Sequence, residues 1–396
     1  MRILFIAPQP FFENRGTPIA VRNMLRALGE LGHTADLVTY HAGQNVRIPG
    51  VTIYRSWRLP FKRIPIGFSF LKLLLDPLLY GAVLKRLLSK RYDVIHGVEE
   101  GIFLALLAFP RRKAIVCYDV DSSLTEQLAA RGRLWRVITP LLQSLEAWAV
   151  RKSDCLVPVC PALTEHVLKL APGKPVFQIE DTPIIRHDAL SPEQELRLRR
   201  KLSLQNEKTV VYIGNFEPYQ GVDLILQAFA EVVTRLPESV LIMVGGSESE
   251  VREKKRLARA FGVEPHVRFT GFVPPEKAGV YLSLADVLVS PRCRGTNFPM
   301  KVYSYLASGK PLVATDLPVH TQLLNRELAM LVPPTPRGLA EGMIHLLENP
   351  GRASQLGRAA KRFVEKEFSE SAYRRRVAEL YRWIGEEVSR RRGRDG

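Results

Sequence analysis

Short, unbroken apolar runs recur along the chain, and most lead through a loop into a helical stretch. Ile3–Ala7, Val210–Ile213 and Val240–Val244 are clear examples. Polar and apolar residues do not alternate within such a run, so both faces of the strand it forms must be covered. That points to parallel sheets clothed on both sides by helices.

In the opening unit, Ile3–Ala7 passes through a loop with two prolines and Gly16 into a helix. Thr17 reads as its N-cap and Pro18 as its first helical residue. Val21, Met24, Leu28 and Leu31 keep the spacing of one buried face, and Gly32 ends the helix before a strand at Ala35–Thr39. Strands are expected at Val51–Tyr54, Asp93–His96, Ala114–Tyr118 and Cys155–Pro158, with a long helix around Leu134–Val150. Residues 171–192 hold four prolines and little periodicity, so they read as a connection between domains. The alternation then resumes. A strand at Thr209–Ile213 ends at Gly214, a helix covers Val222–Leu236, and Val240–Val244 ends in Gly245-Gly246. Further strands fall at Val267–Phe269, Val287–Ser290 and Leu312–Ala314, and Ala372–Val388 is a helical tail.

At ~150 residues per domain the length suggests two domains. The expected fold class is α/β: two doubly wound, Rossmann-like domains facing an interdomain cleft. They would span 1–176 and 177–375, with the helix of 376–396 packing back on the first.

Charge adds a partner class. Lys and Arg number 57 against 40 Asp and Glu, a net +17, which favours anionic partners. Residues 55–91 carry nine of these basic groups and one acid, Asp76, between the apolar stretches IPIGFSFL and PLLYGAVL. The segment is too interrupted to span a bilayer. It suits an anionic membrane surface, with Lys62, Arg63, Lys72, Lys85 and Arg86 near the headgroups. A buried helix pair with a solvated basic rim is the plainer alternative. No nucleic-acid module is evident, and no nucleic-acid partner is expected. The four cysteines have no C-x-x-C spacing, which favours free thiols. The N-terminal apolar run is too short for a secretory signal, so a cytoplasmic protein at the membrane periphery is expected.

Five stretches in order then carry a resemblance. They are RGTPIAVRNMLRALGELGHTADLVT at 15–39, LEAWAVRKSDCLVPVCPALTEHV at 145–167, VVYIGNFEPYQGVDLILQAFAEV at 210–232, VRFTGFVPPEKAGVYLSLADVLVSPR at 267–292 and TNFPMKVYSYLASGKPLVAT at 296–315. The chain resembles the retaining nucleotide-sugar glycosyltransferases of family 4, which have the GT-B fold. The resemblance implies transfer of a sugar from a nucleotide-diphosphate sugar to a lipid-linked or glycan acceptor. It places the acceptor in the first domain and the donor in the second, and it implies no metal and no cofactor beyond the co-substrate. Polysaccharide or glycolipid synthesis is the setting it suggests.

The chain departs from the family at its cations and acids. Asn215 and Gln220 stand where the family carries an arginine and a lysine on the diphosphate. Thr296 and Ser304 replace its two glutamates, the second of which normally binds the ribose, and Asp121 takes the apparent place of its histidine. A non-catalytic GT-B protein that binds a nucleotide sugar or a partner transferase is therefore the alternative reading. An epimerase or phosphorylase on the same fold is a third, which nothing in the sequence selects.

The donor-side candidates are Gly16, Gly214, Asn215, Gln220, Gly221, Gly245, Arg292, Thr296, Asn297, Lys301 and Ser304. Glycines let backbone N–H groups approach phosphate, and Arg292 and Lys301 are the substitute cations. Arg294 is a weaker third. Asp121, Glu100 and His96 are the acceptor-side catalytic candidates, because they follow strand ends where an open α/β sheet binds its ligands.

Overall fold

A computed structural model describes residues 1–13, 16–60, 64, 70–108, 114–123, 139–185 and 191–393. The chain forms two compact units, Met1–Glu180 with Ser371–Gly396, and Asp181–Glu370.

The first unit is built on a six-stranded parallel sheet in the order β3-β2-β1-β4-β5-β6. Its strands are β1 (Arg2–Ala7), β2 (Thr34–Thr39), β3 (Val51–Arg55), β4 (Val94–Val98), β5 (Ile115–Val120) and β6 (Cys155–Pro158). The helices are α1 (Gly16–Glu30), α2 (Phe70–Ser89), α3 (Gly101–Leu107), α4 (Thr139–Lys152), α5 (Pro161–Leu170) and α14 (Glu370–Gly393). β1, β4 and β5 are buried almost throughout, as unbroken apolar runs require.

The second unit repeats the plan. Its strands are β7 (Lys208–Ile213), β8 (Ser239–Val244), β9 (Val267–Gly271), β10 (Val287–Ser290), β11 (Leu312–Thr315) and β12 (Met330–Val332). They order as β12-β11-β10-β7-β8-β9. The helices are α6 (Pro192–Lys201), α7 (Val222–Arg235), α8 (Glu248–Ala260), α9 (Pro275–Leu284), α10 (Met300–Ala307), α11 (Pro318–Thr321), α12 (Pro336–Glu348) and α13 (Pro350–Glu367). Numbered within each unit, both sheets have the order 3-2-1-4-5-6 of a dinucleotide-binding fold. Each therefore has a switch point beside its first strand, between β1 and β4 and between β7 and β10.

Several expectations need correcting. α1 begins at Gly16, so Thr17 lies inside its first turn and is not an N-cap. The first passage between units falls at 180/181, not 176/177. Phe177 and Ile179 still donate backbone hydrogen bonds to Leu156 and Pro158 of β6, and this extra edge holds the segment in the first unit. The return comes at Ser371 rather than 376, because Arg376 already pairs with Glu180 of the first unit at 3.3 Å. Farther along α14, Arg391 holds Asp154 at 2.6 Å and Arg392 holds Asp93 at 2.5 Å. The sequence reading also omitted β12, a three-residue edge strand. The start of the long helix at 134–138 lies outside the described residues, as do Arg15, Lys62 and Arg63.

No described helix is long and apolar enough to cross a membrane. The basic stretch is only partly a surface. Lys72 is buried and paired with Glu100, Arg86 stacks on Tyr54, and Lys90 holds Asp36 at 2.7 Å. Arg55 donates to the carbonyls of Tyr40, Ala42 and Gln44. Lys72 and Arg86 are thus not free to meet headgroups, and the reason is their own unit's acids and rings. Arg58, Lys85 and Arg91 remain exposed, along with Trp57, Leu74 and Leu88.

Candidate functional site

The loops after β7 and β10 flank the switch point of the second unit, and they bring most donor-side candidates together. β7 ends at Gly214, followed by Asn215 and a one-turn helix at Pro218–Gln220. Gly221 opens α7 with φ +73°, and a Cβ there would stand 2.0 Å from the Pro291 carbonyl oxygen. Only glycine lets the two loops approach this closely. Gly245 does the same between β8 and β7: at φ +124°, its Cβ would meet the Gly214 oxygen at 2.0 Å.

Lys301, in the first turn of α10, points into this junction. It is 8% exposed, donates to Gln220 Oε1 at 2.8 Å, and lies 4.0 Å from the centre of the Tyr212 ring. Tyr212 in turn donates to the Asn215 carbonyl at 2.7 Å. Burial pushes the Lys301 amine well below its usual range, and the nearby Arg292 charge adds to that. Arg292 lies over Tyr219 at 5.1 Å and donates to the Arg294 carbonyl at 3.0 Å. Beneath it, Thr315 donates to the Arg292 carbonyl at 2.6 Å, and His320 bridges Ser290 and Thr315 at 2.9 Å each. Burial first, then these cations, press the imidazole down to about 3, so His320 stays neutral near neutral pH. A lysine and an arginine therefore stand at one switch point above a neutral imidazole, an arrangement that can hold two phosphate groups.

The other donor-side candidates differ in placement. Asn215 is exposed, and its side chain accepts from the Glu217 amide at 3.4 Å. Thr296 and Asn297 lie on the loop into α10, where Gln322 holds the Thr296 carbonyl at 2.7 Å. Ser304 is fully buried, and its hydroxyl accepts from the Ile184 and Ile185 amides at 3.1 and 3.0 Å. These two bonds tie the segment that enters the second unit to α10. Gly16 belongs to the other unit, exposed at the start of α1 beside the first switch point.

On the first unit, β4 ends at Val98 and its loop carries Glu99 and Glu100. Glu100 is held by Lys72. Glu99 accepts from Ser122 at 2.7 Å and sits at φ +47°, an uncommon conformation for a residue with a Cβ. Burial, and then the Glu100 charge, raise its carboxyl to about 7. Glu99 follows the same strand end as Glu100, but its bond to Ser122 depends on a partner distant in sequence and has no local signature. Asp121 is buried at the end of β5.

Glu99 has a signed consequence for stability. A carboxyl raised in the folded chain contributes fully below its ordinary value of 4.5, and that contribution is lost as pH climbs through about 7. Glu99→Gln is expected to flatten the melting temperature between about pH 5 and 8 and to exceed wild type at the upper end. Thermal unfolding across that range checks it.

His96 is not an acid–base candidate in this fold. It is fully buried, stacks on Phe5 at 4.2 Å, and contacts Tyr381 through Nδ1 at 3.0 Å and Asp119 through Nε2 at 3.2 Å. Both nitrogens are committed, and the ring ties α14 to the sheet. His96→Phe should cost about 1–3 kcal/mol, since it strands Asp119 and Tyr381. Where both proteins are folded, kcat should change by less than about threefold; a loss of the size typical of a missing general base, about 100-fold or more, would restore the catalytic reading.

Two family models match the chain: the Glycosyl transferase 4-like domain over residues 15–176 and Glycosyl transferases group 1 over 194–363. A phosphatidyl-myo-inositol mannosyltransferase of Mycolicibacterium smegmatis is 25% identical over 368 residues, covering 91% of this chain and 89% of that protein. Among solved structures, a sucrose-phosphate synthase from Thermosynechococcus elongatus superposes with a TM-score of 0.80 at 20% identity, covering 97% and 99% of the two chains. HepE of Anabaena, solved in complex with UDP, superposes with a TM-score of 0.73 at 16% identity, covering 96% and 99%.

Proposed function

The chain belongs to the family 4 type of glycosyltransferases with the GT-B fold, and we propose that it moves a sugar, with retention of configuration, from a nucleotide-diphosphate sugar to a lipid-linked or glycan acceptor. The observation that carries the donor half is the pairing of Lys301 and Arg292 at the β7–β10 switch point, in a chain whose residues 215 and 220 are neutral. The cations stabilise the diphosphate as the sugar leaves, when its charge grows. Gly214 and Gly221 supply the close backbone approach. Transfer needs no cofactor beyond the nucleotide sugar in this reading.

The acceptor half rests on the carboxyls at the first unit's strand ends, Glu99, Glu100 and Asp121, which suit sugar or polyol hydroxyls. A lipid-linked acceptor agrees with the phosphatidyl-myo-inositol in the mannosyltransferase's name, and glycolipid or polysaccharide synthesis is the matching setting. An anionic membrane surface would be met by Trp57, Leu74 and Leu88 together with Arg58, Lys85 and Arg91, at the cytoplasmic face.

The test is product formation. Purified protein is incubated with UDP-, GDP-, ADP- and dTDP-sugars and a phosphoinositide or polyprenyl-linked acceptor, and the product's anomeric configuration is read by NMR. A product that keeps the donor's anomeric configuration supports the reading. An inverted product removes retention, and no transfer from any donor removes the substrate assignment.

A further inference from the structure

Lys301 is an unusual lysine. It is 8% exposed, yet among the described residues no carboxylate pairs with it. Its one hydrogen-bond acceptor is the neutral Gln220 side chain, and its other close neighbour is the face of Tyr212. A buried ammonium without a counter-anion is expensive, and the group lowers that cost by giving up its proton. The way to it is short. Gly214 is only partly buried, and a Cβ at 214 would stand 3.1 Å from the Lys301 Nζ and 2.9 Å from the Tyr212 hydroxyl. The missing side chain leaves that approach open to a ligand.

Resting on the donor reading above, we propose that Lys301 is a proton-linked diphosphate receptor: uncharged against the Gln220 carbonyl in the empty site, it takes a proton from solvent as a diphosphate displaces Gln220. Gln220 is then a stand-in acceptor that keeps the amine in place between turnovers. Lys301 contacts Gln220 and the Tyr212 ring, and the other charged or ionisable groups of this junction are Tyr219 on the short helix, Arg292 and Cys293 after β10, His320 on α11 and Tyr305 on α10. Arg292 keeps its charge throughout. His320 stays neutral, and burial raises the Tyr212 and Tyr305 hydroxyls above their ordinary range. Cys293 carries a thiol on the same loop as Arg292, so the experiment is done in wild type and in Cys293→Ser.

Isothermal titration with UDP, GDP, ADP and dTDP at about pH 8.5, where a free nucleoside diphosphate is fully ionised, is run in Tris and in HEPPS. The difference in heat between the buffers counts protons. The expected result is uptake of up to one proton per bound nucleotide. Affinity should fall by up to about tenfold per pH unit between the empty-site and occupied-site pKa values of the amine, because the ligand selects the protonated form. Lys301→Arg, always charged, should bind without proton uptake. Binding in wild type with equal heats in both buffers would overturn the proposal and leave the donor assignment standing. Uptake that survives in Cys293→Ser/Lys301→Met would also overturn it. No binding of any of the four nucleotides would remove the donor assignment, and the proposal with it.

Discussion

Lys301→Met is expected to weaken nucleoside-diphosphate binding by about 100-fold while leaving the empty protein as stable as wild type, or more so. The two halves have one cause. Lys301 is a buried amine with a neutral partner, so the folded chain gains little from it and bears its desolvation. Methionine has similar length and no polar atom, so exchanging it removes that cost, although the Gln220 carbonyl loses its donor. With a diphosphate present the balance reverses. Losing one partner of a buried, charge-assisted contact costs about 2–5 kcal/mol, and about 2.7 kcal/mol corresponds to 100-fold. Arg292→Ala, less buried, should cost about tenfold. Calorimetric affinity and thermal unfolding of the same samples decide it. A variant that melts much earlier and binds normally would make Lys301 a structural residue.

The second large effect concerns Gly245. Gly245→Ala puts a Cβ 2.0 Å from the Gly214 carbonyl oxygen in a conformation, φ +124°, that side chains rarely adopt. The ends of β7 and β8 must part, and we expect a loss of about 3 kcal/mol or more. For a unit of this size that is a fall of about 6–12 °C in melting temperature. Donor binding should weaken as well, because Gly214 borders Lys301. Gly262→Ala is the control. It shares a positive φ, +72°, but its Cβ would meet nothing within 4 Å, so it should cost about 1–2 kcal/mol and spare donor binding. Equal effects for the two variants would show that backbone strain alone matters and that the close approach of the strand ends does not.

The fold was largely legible because its strands are covered on both faces. An unbroken apolar run such as Val287–Ser290 has few other fates in a chain rich in helical periodicity, and the structure returns that strand at the same residues. β12 escaped because Met330–Val332 is a short edge strand whose pairing with β11 has no local signature. The unit boundary moved because Phe177 and Ile179 find partners on β6, a long-range pairing hidden among prolines.

The site was legible where its signal is local. Glycines after strands and basic residues in loops mark the β7–β10 switch point on the page. What a side chain faces is not local. Tyr212 reads as core in the middle of an apolar strand, yet its ring underlies Lys301. His96 reads as a strand-end base, but Tyr381 arrives from 285 residues away to occupy it. Lys72 reads as a membrane contact and instead neutralises Glu100 inside the unit. Each turns on a partner distant in sequence, which periodicity and spacing do not register.

The central claim is that the second unit's switch point holds a nucleotide diphosphate through Lys301 and Arg292. Thermal unfolding with UDP, GDP, ADP and dTDP, in wild type and in the Lys301→Met/Arg292→Ala pair, tests it most directly. A nucleotide at 100 times its Kd should stabilise the wild type by about 2.7 kcal/mol, and the double variant should lose that shift at the same concentration. An undiminished shift in the double variant, or none in wild type with any of the four, would contradict it.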